Sequence, residues 1–284
     1  MTFASLRRIA SLLSVACALA APAEAIELRV CQADRARYGY RIELAKLILA
    51  RTAAAGETVT VKPFERSDPV QQRCVQLLRD RAVDLVYLPP TQELLARFDA
   101  IRIDLHQGML GYRLLLINRK DAEAFAQVQS LADLRRFTGG FGAQWADFAL
   151  FARNKLPVVT AAQSANLLAM LDSGRFHYFH RGLHEAWAEL AQHPQFGDVI
   201  VEPHLALRYR FPVYFMFNRA DTALRERFER GFAQILADGS FRALFLAEFG
   251  AIVYNAQLKN RTIIDIDFPL PPGLPPVDTK LWLE

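Results

Sequence analysis

Apolar and polar positions in the first third of the chain follow two patterns, one typical of strands and one typical of helices. Residues 26–32 (IELRVCQ), 58–64 (TVTVKPF) and 83–88 (VDLVYL) have the alternating or short apolar pattern of strands. Between them, residues 41–53 carry apolar side chains at helical spacing, and Pro69 marks the first turn of a second helix. Because the links are short, this order of elements predicts a parallel sheet with helices on both faces.

A second unit of the same kind follows. Residues 168–179 (LAMLDSGRFHYF) repeat the helix end, polar turn and strand of residues 77–88 (LLRDRAVDLVYL). Residues 112–118 (YRLLLIN) and 214–218 (YFMFN) are apolar strands that lead from the first unit into the second and back. We therefore expect an α/β fold with two lobes, two mixed sheets flanked by helices, and two hinge strands. The expected boundaries are 26–112 for the first part of lobe 1, 113–215 for lobe 2, and 216–284 for the return to lobe 1 and a C-terminal extension, which from residue 252 we place on the surface.

The stretch 164–181 (SANLLAMLDSGRFHYFHR) contains the first candidate for ligand binding. Ser164 is a good helix N-cap, Gly174 supplies a left-handed turn, and a short aromatic strand then ends at Arg181. Ligands of open α/β sheets bind at the carboxyl ends of the strands, so Arg181 is a candidate anion ligand. The alternative is a surface arginine paired with Glu185, four residues later.

The N-terminus has the features of a secretion signal. Two arginines precede an almost wholly apolar run over residues 9–21, and residues 23–25 (AEA) form a small-x-small cleavage site. The apolar run of about 13 residues is too short to span a bilayer, which needs roughly 20. We expect cleavage after residue 25 and export to the periplasm. A lipoprotein acylated at Cys17 is the less favoured alternative, since the usual leucine three positions earlier is missing.

Charge and cysteine content narrow the class of protein further. The mature chain would keep 32 basic and 29 acidic side chains, spread without basic blocks, so we expect no nucleic-acid partner. It would keep two cysteines, Cys31 and Cys74. In an oxidising compartment such a pair predicts a disulfide, and two buried thiols are the alternative.

Five short stretches follow one another along the chain up to about Gly250: 39–45 (GYRIELA), 78–85 (LRDRAVDL), 91–93 (TQE), 171–176 (LDSGRF) and 237–241 (ADGSF). They resemble motifs of type 2 periplasmic solute-binding proteins, and most closely those of the family that serves amino-acid ABC transporters. That family has G-F-D-V-D-L-A, L-x-x-G-x-x-D, T-P-E-R, L-x-x-G-R and x-D-G-T-x at these places. The resemblance implies a two-lobed protein that closes on a small ligand by a hinge and delivers it to a membrane transporter.

The chain departs from that family at two positions that matter for the ligand. Leu94 stands where the family has the arginine that grips the carboxylate of an amino acid. Arg181 stands where the family has the aspartate that takes the amino group. A cation at the second position repels an ammonium and attracts a carboxylate, sulfonate or phosphate. We therefore expect a small ligand that is anionic or resembles a non-standard amino acid.

Other candidate ligand contacts lie where predicted strands end. Loops are also where polar residues ordinarily fall, so each of these residues has a purely structural alternative. The Gly-rich turn over residues 137–143 precedes a helix from Trp145, and its backbone N–H groups can hold an anion. Glycines in such a turn are also common for steric reasons alone. The candidates are Arg37, Tyr38, Arg66, Thr91 and Gln92 in the first lobe, and Gln144, Trp145 and Asp147 in the second.

Other functional classes have less support. His177, His180 and His184 do not converge easily on one ion, so we expect no metal. No nucleophile triad, Walker loop or C-x-x-C motif is present, so we expect a protein that is not an enzyme and holds no cofactor. We also expect a monomer. The main alternative is a periplasmic sensor or accessory protein of the same fold that docks a partner through its C-terminal segment. An enzyme using Glu185 or Glu189 as acid or base is the third hypothesis.

Overall fold

The computed structural model describes residues 25–64, 69–143, 148–163 and 166–276. The strands are β1 (Ala25–Val30), β2 (Thr58–Pro63), β3 (Val86–Leu88), β4 (Asp99–Ile101), β5 (Tyr112–Asn118), β6 (Gly139–Gly142), β7 (Val158–Ala161), β8 (Tyr178–Gly182), β9 (Val199–Val201), β10 (Leu205–Arg208), β11 (Tyr214–Phe217) and β12 (Thr262–Asp265). The helices are α1 (Arg35–Ala50), α2 (Gln71–Arg79), α3 (Gln92–Arg97), α4 (Ala122–Ala126), α5 (Leu131–Leu134), α6 (Phe148–Arg153), α7 (Leu167–Asp172), α8 (Ala186–Gln192), α9 (Thr222–Ala237) and α10 (Ser240–Ala256). In these residues no helix is both long and apolar enough to cross a membrane.

The first unit is built on strands from the N-terminal third together with β11. β1 and β2 pair in parallel, and an isolated parallel bridge between Val30 and Leu85 links them to β3. β11 lies between β3 and β4 and is antiparallel to both. The returning strand expected at 214–218 is thus part of the first unit.

The second unit is a seven-stranded mixed sheet. Its order is β12-β10-β5-β8-β6-β7, with β9 also paired to β5. β6, β7 and β8 are parallel to one another, and β5 runs antiparallel to its neighbours β8, β9 and β10. The two sheets confirm the α/β fold class predicted from the pattern of the chain. The residue boundaries of the lobes remain predictions.

The chain after residue 252 is more deeply embedded than we expected. Helix α10 continues to Ala256, and β12 pairs in parallel with β10. Ala256, Ile264 and Ile266 are buried in the core. The prediction of a surface segment from residue 252 is therefore wrong up to residue 266, because the isoleucines around β12 complete an apolar cluster of the second sheet.

The first helix begins earlier than the apolar pattern indicated. Asp34 caps α1 by accepting the backbone N–H of Arg37 at 3.0 Å, so the helix begins at Arg35 and not near residue 41. Arg37 and Tyr38 accordingly lie in the first turns of a helix and not in the loop where we expected them. This shift sets the direction of every side chain at the start of α1.

Two segments cross between the sheets, and one buried carboxylate joins them. The crossings are residues 102–111, between β4 and β5, and 209–213, between β10 and β11. Asp104 accepts backbone N–H groups of His106 at 3.2 Å and Gly108 at 2.7 Å in the first crossing, and of Val213 at 3.0 Å in the second. Burial raises the pKa of Asp104 to about 6, although these hydrogen bonds act to lower the pKa. Both crossings are thereby fixed to one side chain.

The predicted disulfide is present. Cys31, just after β1, is bonded to Cys74 in α2, and their Cα atoms lie 5.5 Å apart. Both side chains are buried in the cluster that packs α2 against the first sheet. The bond closes a loop with a separation of 43 residues, for which the chain-entropy model gives a stabilisation of roughly 4 kcal/mol.

Replacing Asp104 tests how much the two crossings depend on it. Asp104→Ala leaves three backbone N–H groups without an acceptor, each costing about 1–3 kcal/mol where it is buried. We expect the free energy of unfolding to fall by about 3 kcal/mol, measured by urea denaturation at pH 7.5. Asp80→Ala is the control, because Asp80 is exposed and its ion pair is with its neighbour Arg79 on the surface. Equal stability of the two variants would contradict the role of Asp104.

Candidate ligand-binding site

Arg181 lies at the end of β8, as predicted, but it already has acidic neighbours. Its Nη2 atom is 2.7 Å from a carboxylate oxygen of Glu189 and 3.4 Å from one of Glu185, and its guanidinium lies over the ring of Phe179. The Glu185 contact is the i+4 pair that we considered as the alternative to ligand binding. A role for Arg181 in ligand binding remains a prediction, and two carboxylates now offset its charge.

The other predicted ligand contacts that the structure describes are in the first unit, and they have different surroundings. Thr91 caps α3 by accepting the backbone N–H of Leu94 at 3.1 Å, while Gln92 and Arg37 are exposed. Tyr38 faces the ring of Tyr87, with centroids 5.5 Å apart. The structure brings only Tyr38 of this set into a cluster of interacting side chains. The predicted contacts outside the described part of the chain are Arg66, Gln144, Trp145 and Asp147, together with the predicted cap Ser164.

The Gly-rich segment predicted as a turn is strand β6, and its first two glycines are required sterically. A Cβ atom on Gly140 would lie 2.1 Å from the ring of Phe176, and one on Gly139 would lie 2.8 Å from the ring of Tyr178. Both aromatic side chains are buried. The steric explanation for these glycines therefore has direct support, whereas their use as an anion cradle remains a prediction.

A double-mutant cycle separates these two explanations. Gly140→Ala should lower the free energy of unfolding by about 2 kcal/mol, because the ring of Phe176 must move. Combined with Phe176→Leu, the same change should cost markedly less, which chemical denaturation of the four proteins will show. Gly197→Ala is the control, since nothing lies within 4 Å of its added Cβ atom. Additive losses would contradict the steric explanation.

The structure reveals one strong candidate that sequence reasoning missed, Arg41 in α1. Its guanidinium carbon lies 5.4 Å from the ring centroid of Tyr38 and 5.3 Å from that of Tyr87. Its Nε atom donates to Nε2 of His106 at 3.4 Å. The side chain is partly buried, and burial lowers the pKa of the guanidinium from its usual value. The signal in the sequence was an arginine within 39–45 at a position where the resembling family has an acid.

Basic groups from both units lie near Arg41. Burial, together with Arg41 and His184, lowers the pKa of His106 well below its usual value, so this imidazole is neutral. Desolvation also lowers the pKa of His184, and the positive charges of Arg113, Arg181 and Arg41 lower it further. The negative charge of Glu185 opposes this shift. A basic cluster thus forms where the first unit, a crossing segment and the end of β8 meet. We call Arg41, His106, Arg113, Arg181 and His184 the basic cluster.

The carboxylates beside the basic cluster are already engaged. Glu185 accepts the backbone N–H of Gly182 at 2.8 Å as well as facing Arg181. Asp104 accepts three backbone N–H groups. Arg113 donates to the carbonyl oxygen of Leu110 at 2.6 Å and lies over an aromatic ring, so its contacts are with uncharged groups. Within the cluster, Arg41 and Arg113 are thus the guanidinium groups with no carboxylate oxygen within 4.0 Å among the described residues, and a bound anion can lie beside them.

A separate cavity of about 620 Å³ runs along α2 and α3. Its lining includes Thr91, Leu94 and Leu88 of the first unit, and Phe211 and Phe268 from the second crossing and the C-terminal segment. Successive residues of a strand face opposite sides of a sheet. In β3, Leu88 lines this cavity, whereas its neighbour Tyr87 packs towards α1. This cavity is thus on the other face of the first sheet from Arg41.

The three histidines considered for a metal have separate surroundings. The backbone N–H of Thr138 donates to Nδ1 of His177 at 3.0 Å, and His180 is buried against the ring of Phe141. His184 belongs to the basic cluster. Among the residues that the structure describes, no group of three or more His, Cys, Asp or Glu side chains is placed to hold a metal ion.

Comparison with known proteins identifies the fold. No protein-family model and no curated protein sequence matches the chain. The probable amino-acid ABC transporter extracellular-binding protein ytmK from Bacillus subtilis has a similar structure, with a TM-score of 0.55 and 16% identity, over 79% of this chain and 97% of ytmK. Substrate-binding domain 2 of Lactococcus lactis GlnP, in its open conformation, gives a TM-score of 0.53 and 14% identity, over 80% of this chain and 95% of that domain.

These likenesses place the chain in a structural class. The chain has the two-lobed fold of type 2 periplasmic binding proteins, with two sheets flanked by helices. The resemblance inferred from the five motifs is confirmed at the level of the fold. Identities of 14–16% establish the fold and leave the ligand and the partner to be argued from this chain's own residues.

Proposed function

We propose that this protein is an exported binding protein that closes its two lobes on a small anionic ligand. The observation that carries the proposal is the basic cluster, which draws side chains from the first unit, from a crossing segment and from the second sheet. Arg41 is partly buried without a direct ion pair among the described residues, which is unfavourable, and an anion placed beside it lowers that cost. Ligand binding would therefore favour the closed arrangement of the lobes.

The same electrostatics argue against an ordinary α-amino acid as ligand. An ammonium group near several guanidinium groups is repelled, whereas a carboxylate, sulfonate or phosphate is attracted. Leu94 removes the family's carboxylate-gripping arginine from α3, and Arg41 supplies a guanidinium from α1 instead. We therefore keep the hypothesis of an anionic ligand from the sequence analysis, and we propose Arg41 in place of Arg181 as its main contact.

The partner we propose is an inner-membrane ABC-type transporter. The predicted secretion signal, the disulfide and the fold are all those expected of a protein that carries a solute outside the cytoplasm. The similar protein ytmK is a probable amino-acid ABC transporter extracellular-binding protein, and the similar GlnP domain is a substrate-binding domain, which supports the same role here. A sensor or accessory protein that docks a partner is the alternative for a chain whose cleft binds no small molecule.

A thermal-shift screen of residues 26–284 tests the proposal. The library contains aromatic acids, dicarboxylates and phosphorylated compounds, each beside its uncharged amide or alcohol, together with the ordinary α-amino acids. A ligand at a hundredfold excess over its dissociation constant should add about 2.7 kcal/mol of stability. For a chain of this size that corresponds to a rise of about 5–10 °C in melting temperature.

We expect stabilisation by acids that lack an amino group and none by their uncharged analogues. Stabilisation by ordinary α-amino acids alone would show that the charge argument is wrong. A library without any hit would favour the partner-docking alternative, which a pull-down with and without residues 267–284 would then examine.

A further inference from the structure

We infer that Arg41 forms the subsite for the oxyanion group of the ligand, and that this group is the carboxylate of an organic acid. The inference rests on the proposed function and assigns its ligand chemistry to one side chain. It depends on how the guanidinium is held, on which charges surround it, and on a buried nitrogen beside it.

The guanidinium of Arg41 is held by aromatic side chains from two elements. Tyr38 lies one turn earlier in α1, and Tyr87 comes from β3; their ring centroids are 5.5 Å apart, and the guanidinium carbon is 5.3–5.4 Å from each. The hydroxyl of Tyr87 donates to the carbonyl oxygen of Gln32, which fixes that ring. Contact with the ring faces leaves the nitrogens at the edge of the guanidinium available to an acceptor.

Arg41, unlike Arg227 and Arg261, has no ion pair with an acidic side chain among the described residues. Arg227 pairs with Glu57 at 2.7 Å, and Arg261 lies 4.0 Å from the buried Glu202. Within the described residues, no carboxylate oxygen lies within 4.0 Å of the guanidinium of Arg41, and its Nη atoms donate to no acceptor. The charge of Asp104 acts on Arg41 from beyond ion-pair distance. A partly buried guanidinium without a direct ion pair is costly to the fold, and a bound anion lowers that cost.

His106 provides a second and independent indication of a ligand. Its side chain is only 4% exposed. Nε2 accepts from Arg41, so the proton of the neutral imidazole is on Nδ1. That Nδ1 atom is buried and has no hydrogen-bond partner in the part of the chain that the structure describes. A buried donor without an acceptor, next to an unpaired cation, indicates a polar group that enters with the ligand.

The geometry of a guanidinium favours a carboxylate. Its two Nη groups donate in parallel, and a carboxylate accepts both with its two oxygens. A phosphate offers the same chemistry, so the source of the oxyanion must be separated by experiment. Lysine at this position would keep the charge but lose the paired donors.

Calorimetric titration of the purified protein tests the inference. The probes are benzoate, succinate and inorganic phosphate, with benzamide and succinamide as uncharged controls. For the carboxylate that binds best, Arg41→Gln should raise the dissociation constant at least tenfold, and Arg41→Lys should give an intermediate value. Arg35→Gln is the matched control, because Arg35 is exposed at the start of the same helix, and it should bind within twofold of the unchanged protein.

Each other outcome overturns a defined part of the account. Unchanged binding by Arg41→Gln would place the anion elsewhere and leave the proposed function standing. Binding of phosphate but of neither carboxylate would overturn the carboxylate assignment. If the unchanged protein binds none of the probes, that result would count against the proposed function and the inference together.

A measurement without any probe guards against a purely structural effect. If Arg41 serves ligand binding, the melting temperature of Arg41→Gln should lie within about 2 °C of that of Arg35→Gln, since no ion pair is lost. A fall of several degrees confined to Arg41→Gln would show a structural role and overturn the inference. Arg41→Lys, which keeps the charge, then separates loss of packing from loss of the paired donors.

Discussion

The structure depends on one buried carboxylate at the point where the chain passes between its two units. Asp104 takes backbone N–H groups from both crossing segments, and this fixes His106 in the first of them. His106 in turn accepts from Arg41, which α1 carries to the same place. The interaction that joins the lobes thus also positions the proposed anion-binding side chain, so that hinge and site form one continuous set of contacts.

Charge balance explains why this region is suited to an anion. Most partly buried arginines of the described chain have an acidic partner; Arg181, for example, has Glu185 and Glu189. Arg41 has instead two tyrosine rings and a neutral imidazole, which hold a guanidinium without neutralising it. A ligand that brings its own negative charge supplies the missing counter-ion, and enclosing it between the lobes strengthens the attraction, because the surroundings become less polar.

Sequence patterns predicted the fold far better than the site. Strand and helix periodicity and the cysteine pair were readable from the sequence, because each depends on local spacing or on few residues. The strands predicted to cross between the units were found as strands, but each lies within one sheet. The start of α1 was misplaced because the Asp34 cap lies in a segment without apolar periodicity. β6 was missed because its glycines are dictated by the rings of Phe176 and Tyr178, which come from later in the chain. Arg41 was missed for the same reason, since its surroundings come from distant segments.

The most direct test of an anion at Arg41 is to observe its side chain during binding. In protein labelled with ¹⁵N-arginine, the Nε–H resonance of Arg41 is assigned as the one absent from Arg41→Lys, and the bound acid is titrated in. The account predicts that this resonance shifts and saturates with the dissociation constant measured by calorimetry. A resonance of Arg41 that stays unchanged while that of Arg181 or Arg113 shifts would contradict it.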